Sequence, residues 1–221
     1  SSTSPSTSTD TSSQPPANPK AKPPTSWPAS PTKRVTNSVK SQVEASGDDL
    51  LVTAVEGSDA WRITSYGFIH DSEHALLATF PDDSAVEVEF TAAFSKQFDQ
   101  AGVFVRFDDE HWVKAGIEHA DGACQVGAVV TNGSSDWSVA PVPQWRDRRV
   151  LVRVSRSGDA MIVRAGLSGP DGKADLRLVR VLPVPPGAVA EAGPFVCSPT
   201  RAGLTVPIHA WRLTDPDASL H

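Results

Sequence analysis

From Val35 onward, short runs of Val, Ile, Phe and Leu alternate with Gly, Asp, Asn and Pro. Candidate strands occupy 50–55, 60–64, 74–80, 84–93, 100–107, 111–119, 123–131, 136–139, 149–156, 160–167, 175–182, 188–197 and 204–213. No long stretch carries the 3.6-residue repeat of an amphipathic helix. Short strands divided by turn residues predict an all-β antiparallel sandwich or barrel. The turns have a chemical basis: Asp121-Gly122, Asn132-Gly133, Gly158-Asp159 and Asp171-Gly172 supply residues that tolerate positive φ.

Three consecutive runs can be registered against one another. Alternation puts Ala101, Val103 and Val105, then Val113, Ala115 and Ile117, then Val126, Ala128 and Val130 on one unbroken apolar face, which must be core. A two-residue Asp121-Gly122 turn pairs Ala120 with Ala123, Glu118 with Gln125 and Gly116 with Gly127. A loop at 107–111 pairs Arg106 with Trp112, Phe104 with Lys114, Gly102 with Gly116 and Gln100 with Glu118. The opposite face then carries a glycine row, Gly102, Gly116 and Gly127. Gln100, Glu118 and Gln125 flank it on one side, and Phe104, Arg106, Trp112 and Lys114 on the other. Two roles fit such a row. Strand glycine marks close approach by another group, so the row would floor a binding groove lined by amides, a carboxylate, cations and rings. Aligned glycines also let a sheet coil, and Arg106 over Trp112 also fits a cross-strand cation–π pair.

Residues 1–32 hold nine Ser, six Thr and eight Pro. Such a segment buries too little apolar surface to offset its ordering entropy. A disordered tail is expected there, with Trp27 near its end placed to dock on a β-sandwich domain spanning 33–221. The formal net charge is −6 and basic residues are scattered, which argues against a nucleic-acid partner. No apolar stretch approaches the ~18 residues of a membrane span, so no membrane partner is expected. No basic-then-apolar leader is visible, and a cytoplasmic location is expected; secretion stays open because the sequence starts at Ser1 rather than Met. The Asn132-Gly133-Ser134 sequon has meaning only in a secreted chain. Cys124 and Cys197 are expected as two buried thiols, with a disulfide between them as the alternative.

Catalytic signatures are sparse. Glycosidases need two carboxyls about 5–9 Å apart. Glu118 is the one acid well placed on the glycine face; a second would have to come from Asp71 or Asp99. His70 and His74 have helical metal-ligand spacing but sit in a turn-to-strand segment with no third ligand. Asp108-Asp109-Glu110 reads as a solvated hairpin tip rather than a calcium site. No catalytic residue, metal or cofactor is therefore expected. Trp211 is expected in the core.

Four ordered stretches carry a family resemblance: Trp61-Arg62-Ile63-Thr64-Ser65-Tyr66-Gly67-Phe68-Ile69-His70-Asp71, then Asp99-Gln100-Ala101-Gly102-Val103-Phe104-Val105-Arg106, then Trp112-Val113-Lys114-Ala115-Gly116-Ile117-Glu118, then Ser135-Asp136-Trp137-Ser138. From about Trp27 to Asp215 the chain resembles the domain-of-unknown-function family typified by the yeast "regulation of enolase" protein. The resemblance implies a concanavalin A-like lectin/glucanase sandwich, a jelly roll. It maps family motif positions onto Trp61, Tyr66, Gln100, Arg106, Trp112, Lys114, Glu118 and Trp137; His70, rejected as a metal ligand, is expected at the border of the same ligand site. The Ser/Thr/Pro tail, Ser72-Glu73-His74 and both cysteines depart from the pattern. Such a fold does not itself give lectin or glucanase activity. Three functions are carried forward. One is a non-catalytic binding domain for a carbohydrate or small polar metabolite. The second is a protein-interaction regulator of a glycolytic enzyme, and the third a weak or relict glycoside hydrolase.

Overall fold

The computed structural model describes residues 42–46 and 48–220. The expected tail and Trp27 lie outside the described residues. The strands are β1 (Gln42–Ser46), β2 (Asp49–Thr53), β3 (Ala60–Arg62), β4 (Ile69–Asp71), β5 (His74–Ala75) and β6 (Ala78–Thr79). They continue with β7 (Ser84–Thr91), β8 (Gln100–Arg106), β9 (His111–Ala120), β10 (Ala123–Asn132) and β11 (Ser134–Pro141). The last are β12 (Arg149–Ser157), β13 (Ala160–Leu167), β14 (Arg177–Pro183), β15 (Glu191–Cys197) and β16 (Thr205–Thr214). Two sheets face each other, one ordered β1-β2-β16-β7-β12-β13-β14 and the other β11-β10-β9-β8-β15-β5, with β6 also on β15. The fold is an antiparallel β-sandwich, as the alternation predicts. The run at 74–80 breaks into β5 and β6, because Leu77 between them turns into an apolar cluster. The run at 136–139 is the middle of β11, whose serines and terminal proline conceal its length from the hydrophobic pattern.

The register of the central strands is the one the turns dictate. Asp121 and Gly122 both adopt positive φ, the geometry of a tight two-residue hairpin, and pair Ala123 with Ala120, Gln125 with Glu118 and Gly127 with Gly116. Gly102 faces Gly116, Phe104 faces Lys114 and Arg106 faces Trp112. Val103, Val105, Val113 and Ile117 meet Val86, Val88, Phe90, Val152 and Val154 of the other sheet in the main core. Each such burial contributes about 1.5–3 kcal/mol. Trp211 belongs to the same core. Both cysteines are buried thiols, Cys124 in the main core and Cys197 in a second cluster.

The glycine row has a packing cause. A Cβ on Gly102 would lie 2.0 Å from the Ala115 carbonyl oxygen, and one on Gly116 would lie 2.1 Å from that of Ala101. The group that approaches these glycines is the neighbouring strand's own backbone. Any side chain there would meet that backbone and force the strands apart.

Candidate functional site: an aromatic cavity over a buried charge cluster

The hairpin β3–β4 lies over the outer face of the sheet that carries the glycine row. Its register sets Trp61 beside His70 and Arg62 beside Ile69. Its tip closes through Gly67 N–H donating to the Ile63 carbonyl at 2.6 Å, with Ile63, Ser65 and Gly67 at positive φ. Positive φ at a β-branched residue is strained, and strain of this kind concentrates at working sites. Ser135 Oγ accepts from Arg62 N–H at 2.9 Å, and the Arg62 guanidinium bridges to Glu110 at 2.8 Å. Beneath the hairpin, Trp61, Leu77, Phe104, Trp112, Val129 and Phe195 form a second apolar cluster.

The covered face holds two ion pairs. Lys114 Nζ donates to Asp59 Oδ1 at 2.8 Å, and the same oxygen accepts from Ala60 N–H at 2.8 Å. Gln100 Nε2 reaches that oxygen at 3.4 Å and the Phe98 carbonyl at 3.2 Å. Arg106 pairs with buried Glu73, and with Asp109 at 3.0 Å. Burial opposes the Lys114 ammonium, but the attraction of its neighbours, Asp59 foremost, outweighs it and holds the group above its usual range. Burial pushes Glu73 up, against the pull of Arg106. Glu118 lacks such a partner: burial pushes it up to about 7, with Lys114 pulling down and Asp59 and Asp121 adding to the rise. Its Oε1 is buried and accepts no hydrogen bond among the described residues.

A cavity of about 370 Å³ opens beside this cluster, within the size range of small-molecule sites. Trp61, Tyr66, Phe68, His70 and Trp137 line it, with Asp59, Lys114 and Glu118. Tyr66 and Trp137 stand edge-on to Trp61, at 71° and 89° with centroids 5.7 and 6.4 Å away. Phe68 stacks on Tyr66 at 5.3 Å and meets His70 edge-on at 4.6 Å. A second space of about 20 Å³ lies over the glycine row, lined by Gln100, Gly116, Glu118 and Gly127. It has room for a water molecule and no more.

Six of the nine expected ligand-binding residues thus line the aromatic cavity: Trp61, Tyr66, His70, Lys114, Glu118 and Trp137. Gln100 lines only the smaller space. Arg106 and Trp112 line neither. Trp112 is stacked on Phe104 at 5.4 Å under the hairpin, and the Arg106 guanidinium is consumed by Glu73 and Asp109, lying over Phe104 rather than Trp112. Both side chains are buried, Arg106 at 5% and Trp112 at 3% exposure. Asp59 and Phe68 escape sequence reasoning. Phe68 follows Tyr66 and precedes His70 at period two, a signal that would have found it; Asp59 has no such pattern.

The remaining candidates have structural occupations. Asp99 is fully buried; burial would raise its carboxyl, but the Arg201 guanidinium and the Ser95 and Lys96 N–H groups hold it below the usual range. His74 Nε2 accepts from Val55 N–H at 2.9 Å, and burial lowers its pKa. Asp108 accepts from Glu110 and His111 N–H at 2.8 Å each, closing the hairpin tip. No cluster that could hold a metal is found among the described residues, and none of their helices is long and apolar enough to cross a membrane.

The model of a family described as "Protein of unknown function (DUF1349)" matches residues 36–216. The chain belongs to the DUF1349 family. This DUF1349 chain is 38% identical over 181 residues to Regulation of enolase protein 1 of Saccharomyces cerevisiae, across 81% of this chain and 88% of the relative. The crystal structure of a functionally unknown protein from Saccharomyces cerevisiae matches with a TM-score of 0.71 at 34% identity, over 80% of this chain and 93% of that one. A xylan beta-1,4-xylosidase from Bacillus halodurans C-125 matches at 0.58 and 14% identity, over 76% of this chain but 33% of that one. The CBM2 module of Lactobacillus casei BL23 phage J-1 evolved Dit matches at 0.53 and 11%, over 90% and 91%. At such identities the DUF1349 chain shares a fold with the last two and nothing further follows.

Proposed function

We propose that this chain is a non-catalytic binding domain that holds a carbohydrate or another small polar metabolite in the aromatic cavity. One observation carries this: a ring-walled cavity meets a carboxyl, Glu118, that has no counter-ion of its own and keeps a buried oxygen without a partner. The rings give apolar contact at low entropic cost, and the carboxyl orients the ligand. The other carboxyl of the cavity, Asp59, is already the partner of Lys114 and of a backbone N–H, which leaves no second carboxyl of the lining free for the two-carboxyl hydrolysis of glycosides. The test is a titration of monosaccharides, disaccharides and small polar metabolites, followed by ligand-observed NMR, on wild type, Glu118→Gln and Tyr66→Ala. At least one compound should bind wild type and weaken about tenfold in Tyr66→Ala, a change on the exposed rim. Absence of binding across the panel by folded protein refutes the proposal.

A second function, regulation of a metabolic enzyme by direct contact, is favoured by one separate feature. Ile63, Tyr66, Phe68 and Ile69 all stand exposed on the hairpin tip, an apolar ridge that a protein partner would cover. The yeast relative's name suggests enolase as the enzyme to try. Sedimentation with purified enolase, compared with the Ile63→Ser/Ile69→Ser double variant, separates the two functions, since neither isoleucine lines the cavity.

A further inference from the structure

We infer that the ligand of this cavity is an organic cation of the alkylated-ammonium class, boxed by Trp61, Tyr66 and Trp137 and balanced by the Glu118 carboxylate. The binding role proposed above is its premise, and the cation narrows the ligand class.

Three features favour a cation over a neutral polyhydroxyl compound. The first is ring geometry. Tyr66 and Trp137 both stand near-perpendicular to Trp61, so the rings that line the cavity do not form a flat platform. Perpendicular ring faces surround a compact cation favourably, whereas the flat face of a sugar is served by one parallel ring. The second is the state of the donors. Three of the lining donors are already engaged: Trp61 Nε1 donates to the Thr64 carbonyl at 2.9 Å, Lys114 Nζ to Asp59, and Thr200 Oγ1 to the Gln97 carbonyl at 2.7 Å. A sugar needs many directional partners; an alkylated ammonium needs ring faces and a negative charge. The third is the charge balance of the floor. Lys114 and Asp59 cancel each other, so ionised Glu118 supplies the charge a bound cation would match.

Glu118 faces Lys114 on its own strand, Asp59 ahead of β3, and Asp121 in the turn after β9, while His70 on β4 stands in the wall of the same cavity. A cation in the box favours the ionised carboxylate. Binding therefore expels a proton near neutrality, and affinity rises with pH, by about tenfold between pH 6 and pH 8 for a carboxyl that titrates near 7.

The test uses choline and its uncharged carbon isostere 3,3-dimethyl-1-butanol, with methyl glycosides as a third arm, by calorimetry at pH 6, 7 and 8 in buffers of different ionisation enthalpy. Choline should bind about tenfold or more tightly than the isostere, with proton release at pH 7. Glu118→Gln, its fold checked by thermal melting, should weaken choline about tenfold and abolish the pH dependence while leaving the isostere unchanged. Equal binding of choline and isostere overturns the inference, as does pH dependence that survives in Glu118→Gln. Methyl glycosides binding where choline does not overturns the cation while leaving the binding domain intact. Failure of all three probes and of the wider panel removes both.

Discussion

Replacing Glu118 with Gln is expected to stabilise the domain in alkaline but not in acidic solution. Glu118 titrates at about 7 in the folded chain against an ordinary value of 4.5, because burial disfavours its ionised form. Below 4.5 the folded and unfolded chains both carry the proton, and burial of the neutral carboxyl costs nothing extra. Between 4.5 and about 7 only the folded chain keeps it, so stability falls as pH rises, and above 7 the full penalty is present. A displacement of two to three units at about 1.4 kcal/mol each gives roughly 3 kcal/mol as an upper bound, since partial solvent access reduces it. Glutamine reproduces the shape of the protonated acid and has no charge to bury. In a domain of this size 1 kcal/mol moves Tm by about 2–4 °C, so the variant should gain several degrees at pH 8 and almost nothing at pH 4.5. Melting curves of both proteins at half-unit steps across this range measure it. Parallel pH profiles for wild type and variant would show that Glu118 ionises freely in the folded state, and the account of its environment would fail.

Two further outcomes follow from the same face. Gly116→Ala places a Cβ 2.1 Å from the Ala101 carbonyl oxygen, a backbone atom that cannot rotate away, so about 3 kcal/mol or more should be lost, read as a lower urea midpoint with unchanged slope. Arg106→Met leaves Glu73 without its buried counter-ion and should cost about 3–5 kcal/mol at pH 7. That loss should shrink in acid, because Glu73, already raised by burial, takes up a proton and no longer needs the guanidinium; a loss that is constant with pH would assign it to packing alone.

The central meander was legible because its constraints are local. A two-residue turn fixes the register of β9 and β10, and period two then decides the face of every side chain. That is enough to align Gly102, Gly116 and Gly127 and to set Gln100 opposite Glu118. Alternation does not say what covers a face. Trp112 and Arg106 occupy positions that would be open on a bare sheet, and they are covered because β3–β4 and Glu73 arrive from more than thirty residues away in sequence. The hairpin itself is hard to foresee as a cover: its strands have three residues each, and its tip is held by positive φ at Ile63 and Ser65, where propensity would forbid it.

The cavity and the unusual carboxyl have a single cause. Without the hairpin, Lys114 and Glu118 would be solvated side chains two turns of alternation apart on a polar sheet face, free to pair with each other or with water. The hairpin brings Asp59, which takes the ammonium at 2.8 Å, and a set of rings, which exclude water from the carboxyl left behind. Burial under the hairpin raises Glu118 to about 7, against the remaining pull of Lys114 and with the nearby Asp59 charge adding to the rise. The same step makes the remaining carboxyl the one group on the floor whose charge is unmatched. Substitution of Asp59 by Asn should therefore release Lys114 to Glu118 and lower the carboxyl's titration part of the way toward its ordinary value, burial remaining, so a lowered titration and weakened ligand binding are expected to occur together in that variant.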